Sequence, residues 1–215
     1  MGTAERRERE KEQRRNDIID AAEAVFFSKG IANSTMDEIA DVSELSKGTL
    51  YLYFKNKEDL YLAIILRGLA ILQAKFEETL KAHESGIEKT EAIGRAFFEF
   101  AKTHPDYFQA MLYFESADLP YDDESGYAAE CLSQSNHTFE ICARAVQAGI
   151  DDGTIRPDLD PMKTAMTLYG VSVGLLQIVS TKGQMIRECH NLNPDELIEY
   201  FFELIGNTLR TQIDE

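Results

Sequence analysis

The sequence predicts an all-α fold, and three observations predict it. Apolar residues recur at three- and four-residue steps, strand-like alternation is absent, and capping residues or prolines stand where helices would begin. From Ile18 the first helix shows its face: Ile18/Ile19, Ala22 and Val25/Phe26, until Gly30 stops it. Before it, residues 5–15 mix Glu with Arg and Lys and hold no apolar residue, as in a solvated helical extension or a loose basic arm. Thr35 to Glu38 has capping-box spacing, and Met36, Ile39 and Ala40 give the second helix one apolar face. Ser46 caps a third after a three-residue turn, a short element of nine residues ending at Phe54. Asn56 then starts a long fourth helix that runs to about His83. Further helices are expected near 88–103, 105–116, 124–151, 161–183 and 194–211, with a turn-rich loop at 117–126. Asp160-Pro161 and Asn193-Pro194 each put a cap before a proline at the first helical position, and Asn193 to Glu196 again has capping-box spacing.

The chain has 215 residues, 44% of them hydrophobic and 28% charged, the composition of a globular protein with a sizeable core. Its formal net charge is -16, unevenly spread. Residues 1–60 hold 10 Lys+Arg against 13 Asp+Glu; the rest hold 12 against 25. An acidic body repels nucleic acid at long range, so a DNA contact must come from a locally basic edge near the N-terminal end. The same acidity excludes a DNA-bending architectural protein. The longest apolar run, Thr167 to Ser180, is too short to cross a bilayer, and the charged start lacks a signal-peptide core. Three cysteines without a CxxC pair argue against a disulfide framework. The expectation is a cytoplasmic protein with no membrane partner.

The short third helix carries the functional signal. Leu50 and Phe54 lie four apart and share the core-facing side, whereas Gly48 and Leu52 point the other way and Thr49 and Tyr51 flank them. Three helices with a tight turn before a short third form a helix-turn-helix, whose third helix enters the major groove N-terminus first. The residues suit that task. Ser46 and Lys47 start the helix, Gly48 allows close backbone approach, and Thr49, Tyr51 and Tyr53 bring hydroxyls to phosphate oxygens. Leu52 would meet a thymine methyl, and Lys57 would pair with phosphate from the start of the fourth helix. The competing reading makes the tyrosines packing residues and the lysines merely solvated.

The stretch STMDEIADVSELSKGTLYLYFKNKEDLY (34–61), preceded by IIDAAEAVFFSKG (18–30), resembles the TetR family of transcriptional regulators. Phe26, Gly30, Thr35, Ile39, Gly48, Thr49, Tyr51, Phe54, Lys57 and Leu60 stand where that family places them. The resemblance implies DNA contacts from Thr35, Lys47, Thr49, Tyr51, Tyr53 and Lys57. Tyr53 replaces a common histidine, and Glu44 stands where the family usually has a turn glycine. It implies a helix-turn-helix domain at 12–60, with the motif itself at 35–54. It further implies a helical ligand-binding and dimerisation domain at 61–215, and a small-molecule effector that governs affinity for a pseudo-palindromic DNA site. The expected function is a ligand-responsive regulator, a repressor released by its inducer, and not an enzyme. The alternative is a helical ligand-binding protein or enzyme with a vestigial DNA module.

In the larger domain, aromatics crowd residues 97–114. Taken singly these aromatics read as packed core; taken together they suggest an apolar cavity with a few polar groups, whose expected residues are Phe97, Phe100, Tyr107, Met111, Phe114, Glu115, His137, Tyr169 and Gln177. The last two helices are expected to form the dimer interface. Gly170 and Gly174, four apart, permit close helix approach, and Phe201, Leu204 and Leu209 form an apolar stripe. The four histidines have no metal-ligand spacing, and no phosphate loop or nucleophile elbow is present, so no metal or cofactor is expected.

Overall fold

The computed structural model describes residues 2–116 and 126–211, apart from the side chains of Thr3, Glu115 and Ser116. The turn-rich loop expected at 117–126 therefore lies almost wholly outside the described residues. Within them the chain is helical throughout: α1 (Thr3–Lys29), a 3-10 turn (Ile31–Asn33), α2 (Met36–Val42), α3 (Lys47–Tyr51), α4 (Lys57–Ala82), α5 (Gly86–Thr103), α6 (Pro105–Ser116), α7 (Tyr127–Asp151), α8 (Pro161–His190) and α9 (Pro194–Leu209). Among the described residues the only strand-like feature is an isolated antiparallel bridge, Ile155 to Arg210.

Of the two readings of the charged start the structure has the helical extension, and two further elements differ from expectation. The charged N-terminal segment and the apolar helix after it are one continuous helix, α1, ended by Gly30 at φ 78°. The third helix proper has five residues, and the chain continues to Phe54 in turns closed by Tyr53 and Phe54 N–H groups donating to the Leu50 carbonyl. Gly183 does not stop α8. It is buried against Pro194, and the helix runs on to Asn191, which closes it in the left-handed region at φ 53°. The resulting thirty-residue helix has a mean hydropathy of 1.3 over its most apolar stretch and, by length and composition alone, is long and apolar enough to cross a membrane. Asp160 caps α8 as expected, accepting from the Lys163 N–H at 2.8 Å. Asn193 caps α9 through the Asp195 N–H at 3.1 Å, so the expected box with Glu196 does not form.

Two compact units divide the chain. The first comprises Met1–Gly68 and Asp106–Gln134; the second comprises Leu69–Pro105 and Ser135–Glu215.

The first unit packs Ile18, Ile19, Ala22 and Phe26 of α1 against Ile39, Leu50, Phe54, Leu60 and Ile64. Aromatic edges extend this core: Tyr61 lies 5.6 Å from Phe26 and 5.5 Å from Tyr113, and Tyr127 stacks on Phe54 at 5.8 Å. A polar network joins α1, α4 and α6. Arg67 donates to Asp20 at 2.6 Å and to Glu23 at 2.9 Å, and the Tyr107 hydroxyl donates to Glu23 at 2.6 Å. Burial, and then the Glu23 carboxylate, push the Tyr107 hydroxyl up to about 12, so it remains a donor.

In the second unit, Ile87, Val146, Ile155 and Leu209 form one cluster. Phe98 meets Phe201 and Phe202 at 5.7 and 5.3 Å. Arg95 forks onto Glu199 with two 2.9 Å bonds while lying 4.4 Å over the Phe202 ring. At the start of α5, the Gly86 N–H donates to Asp152 at 2.7 Å and the Ile87 N–H to Thr154 at 3.2 Å, satisfying two otherwise orphaned helix donors.

Candidate nucleic-acid interface

The interface is built from α2 upward. Thr35 accepts from the Glu38 N–H at 3.3 Å, and the Glu38 carboxylate accepts in return from the Thr35 N–H at 3.0 Å. This box holds an exposed Thr35 at the helix start. Met36, Ile39 and Ala40 fix the inward face of α2. The helix ends in a double closure: the Glu44 N–H donates to Asp41 O at 3.2 Å and the Leu45 N–H to Ala40 O at 3.0 Å. That is a Schellman turn, which requires a left-handed residue at Glu44, and its φ is 55°. A side chain pays a steric penalty there that glycine avoids. Glu44→Gly is therefore expected to stabilise the first unit by about 1 kcal/mol in chemical denaturation, with helix content unchanged. An unaltered midpoint would mean that the turn carries no strain.

The turn aims α3. Ser46 accepts from the Thr49 N–H at 3.1 Å, and its hydroxyl lies 2.8 Å from that of Thr49, so both are partly committed to the cap. Leu50 and Phe54 are 0% and 1% exposed, whereas Leu52 is 83% exposed and Tyr51 46%. Gly48 is exposed, and a Cβ there would meet only Ser46 Oγ, at 3.8 Å. Tyr53 is half-buried against the core. The structure thus brings Ser46, Lys47, Gly48, Tyr51 and Leu52 to one outward edge.

The lysines have protein partners. Lys47 Nζ lies 2.6 Å from Asp37, whose carboxylate raises the lysine pKa above its usual value and keeps the cation charged. Lys57 donates to the carbonyls of Ile31 at 3.0 Å and Ser34 at 3.4 Å, tying the start of α4 to the 3-10 turn. Sequence reasoning missed Asp37 and these carbonyls. Asp37 stands near Lys47 in sequence, but only the turn geometry brings the two side chains together.

The expected ligand residues divide between the units. Tyr107, Met111 and Phe114 belong to the first, where Phe114 lines a cavity of about 110 Å³ with Ile31, Lys57, Tyr61 and Tyr113. The Met111 side chain lies against Gly68. Phe97, Phe100, His137, Tyr169 and Gln177 belong to the second. There Tyr169 lies 5.6 Å from Phe97 and 5.3 Å from Phe139, and Phe100 stacks on His104 at 5.1 Å. His137 and Gln177 are exposed, with His137 beside Glu140 rather than lining an apolar wall. The Glu115 side chain lies outside the described residues.

Of the expected interface residues, Gly170 and Gly174 have no atom within 4 Å of where a Cβ would stand, Leu204 is 50% exposed, and Phe201 is half-buried. Leu209 is a correction: at 6% exposure it packs on Ile87, Val146 and Ile155 inside one chain. The free apolar face instead includes Met166, Val171, Ile178 and Tyr200, 46–60% exposed. Burial pushes the thiols of Cys131 and Cys142 up to about 12, so neither is a poised nucleophile.

The family model for bacterial regulatory proteins of the tetR family matches residues 18–64, the span just described. The chain is 30% identical over 156 residues to the HTH-type transcriptional repressor KstR2 of Rhodococcus jostii, covering 70% of this chain and 72% of that one. A crystal structure of a TetR/AcrR-family transcriptional regulator from Thermobifida fusca superposes with a TM-score of 0.72 at 25% identity, covering 93% of this chain and all of that one. The fold is shared also with FadR from Bacillus subtilis in complex with stearoyl-CoA, at a TM-score of 0.70 and 22% identity, over 88% of this chain and 96% of that one. With its helix-turn-helix, its all-helical remainder and these relatives, the chain belongs to the tetR family of bacterial regulatory proteins.

Proposed function

We propose that this regulator is a homodimeric repressor that grips a pseudo-palindromic operator through α3 and releases it when a small molecule binds the helical body. The observation that carries the reading is the division of α3. Leu50 and Phe54 anchor it in the core, leaving Leu52 83% and Tyr51 46% exposed, outward with Gly48 and Lys47. An exposed leucine on so small a helix has no folding role, whereas a thymine methyl is a partner that rewards it. The Lys47–Asp37 pair is exposed, so a phosphate can take the lysine with little loss. Lys57, held by the Ile31 and Ser34 carbonyls, would reach phosphate from beside Thr35. Thr35 adds a hydroxyl at the start of α2. Such a protein works where the DNA is, in the cytoplasm.

Dimerisation is supported by the free face of α8 and α9, which combines exposed Met166, Ile178 and Leu204 with the open glycines. An isologous pairing of these helices from two copies would cover it. An effector that lowers DNA affinity a hundredfold must prefer the released conformation by about 2.7 kcal/mol, and the operator must weaken effector binding by the same factor. Stearoyl-CoA is a suitable first probe of that reciprocity.

The DNA arm of the proposal is tested by salt titration. Three phosphate-pairing cations per protomer, Lys47, Lys57 and an arginine of α1 such as Arg14, give a dimer a log–log salt slope of roughly -5, which any further cation of α1 on phosphate makes steeper. Lys57→Ala should weaken binding to all sequences about equally and flatten the slope. A salt-insensitive affinity would contradict phosphate contact at this edge.

A further inference from the structure

The N-terminal half of α1 has no folding task. Its first core residue is Ile18 and the first side chain to touch the body is Arg15, so residues 3–14 carry the helix about 18 Å beyond it. Residues 4–14 are exposed on every side, yet their charges are not evenly distributed. Arg7, Lys11, Arg14, Ile18, Ala22 and Val25 follow one another at steps of four, three, four, four and three, which puts all six on one face. Ile18, Ala22 and Val25 are at most 6% exposed and define that face as the one turned to the helix-turn-helix core. The three cations therefore continue the inward side of the helix into open solvent.

The cations on the other faces are engaged or set apart. Arg6 pairs with Glu10 at 2.7 Å, and Arg9 and Glu12 lie opposite the stripe. Arg7, Lys11 and Arg14 make no ion pair among the described residues. The neighbouring Arg15 fixes where the extension leaves the body: its guanidinium lies 5.8 Å from the Phe54 ring centre and 5.7 Å from that of Tyr127. Phe54 closes the segment that carries α3, and the exposed Lys55 follows it. The stripe thus begins at the edge where the recognition segment ends, on a chain whose net charge is -16.

We propose that Arg7, Lys11 and Arg14 form a second DNA-contacting surface, which lies along the phosphate backbone flanking the groove entered by α3. The proposal rests on the DNA-binding reading above and deepens it. Its contacts are to phosphate, so the stripe adds affinity and fixes register while leaving base preference to α3.

The test uses the full chain and a duplex that it selects from a random-sequence pool. Two variants are compared: Arg7→Gln/Lys11→Gln/Arg14→Gln on the stripe, and Arg6→Gln/Arg9→Gln off it. Glutamine preserves helix propensity, and equal circular dichroism checks this. Each lost phosphate contact flattens the plot of log affinity against log salt by about 0.9, so the stripe variant should lose nearly 3 of slope per protomer bound. Its affinity should fall at least about tenfold at low salt, with the selected sequence unchanged. The off-stripe variant should keep the parent slope. Equal losses from both variants would reduce the effect to net charge and overturn the stripe. An unchanged stripe variant alongside a weakened Lys47→Ala would overturn it while leaving α3 as the reader. If the chain selects no sequence at all, the stripe proposal falls together with the reading beneath it.

Discussion

Replacing Gly174 with arginine should give a folded, helical monomer whose affinity for its operator is lower by about a hundredfold or more. The substitution costs the isolated chain little. No atom lies within 4 Å of the Cβ position, and the same holds one turn earlier at Gly170. Along the most apolar stretch of α8 only 17% is buried, and Met166, Val171 and Ile178 are exposed on the glycine side. A monomer has no use for a thirty-residue helix so apolar and so bare. In the proposed dimer the arginine would sit in a seam that the glycines keep narrow, where an unpaired charge is costly to bury. Each half-site would then bind alone, without the effective concentration supplied by its partner. Sedimentation and operator titration check both halves of the expectation. An unchanged dimer would place the interface elsewhere.

The largest loss of stability is expected from Gly86→Ala. A Cβ on Gly86 would stand 1.9 Å from the backbone nitrogen of Gly149 and 2.2 Å from its Cα. Backbone cannot turn aside as a flexible side chain can, so α5 must retreat from α7. The retreat breaks the Gly86 N–H bond to Asp152 and the Ile87 N–H bond to Thr154. Overpacking and two unsatisfied donors together should cost at least about 3 kcal/mol, read as a lowered denaturant midpoint. A loss below about 1 kcal/mol would show that the two helices are less closely engaged than the structure indicates.

What could be read in advance was local. The four-residue step from Leu50 to Phe54 separates the buried face of α3 from Leu52. Capping chemistry placed the starts of α2, α3, α8 and α9 within a residue. What stayed hidden depends on partners far along the chain. Lys57 meets the Ile31 carbonyl 26 residues away, and Tyr107 meets Glu23 at a separation of 84. The Gly86–Gly149 contact leaves no periodic trace. The last helix is apolar on more than one side, so spacing alone did not say which stripe turns inward. Phe202 and Leu209 do, while Tyr200 and Leu204 remain outside. The expected end of α8 near residue 183 fell short because Gly183 makes room for Pro194 and the helix runs on to His190.

The most direct test of the central claim, that α3 reads DNA from an outward edge built on Leu52, is a comparison of selected binding sequences. Wild-type chain and Leu52→Ala would each select duplexes from a random pool. The wild type should enrich an inverted repeat whose half-sites lie about one helical turn, or a multiple of it, apart. Leu52→Ala should enrich the same repeat with altered base frequencies at one step in each half-site, where a thymine methyl is no longer met. Identical base preferences at every step, or no enriched repeat from the wild type, would contradict it.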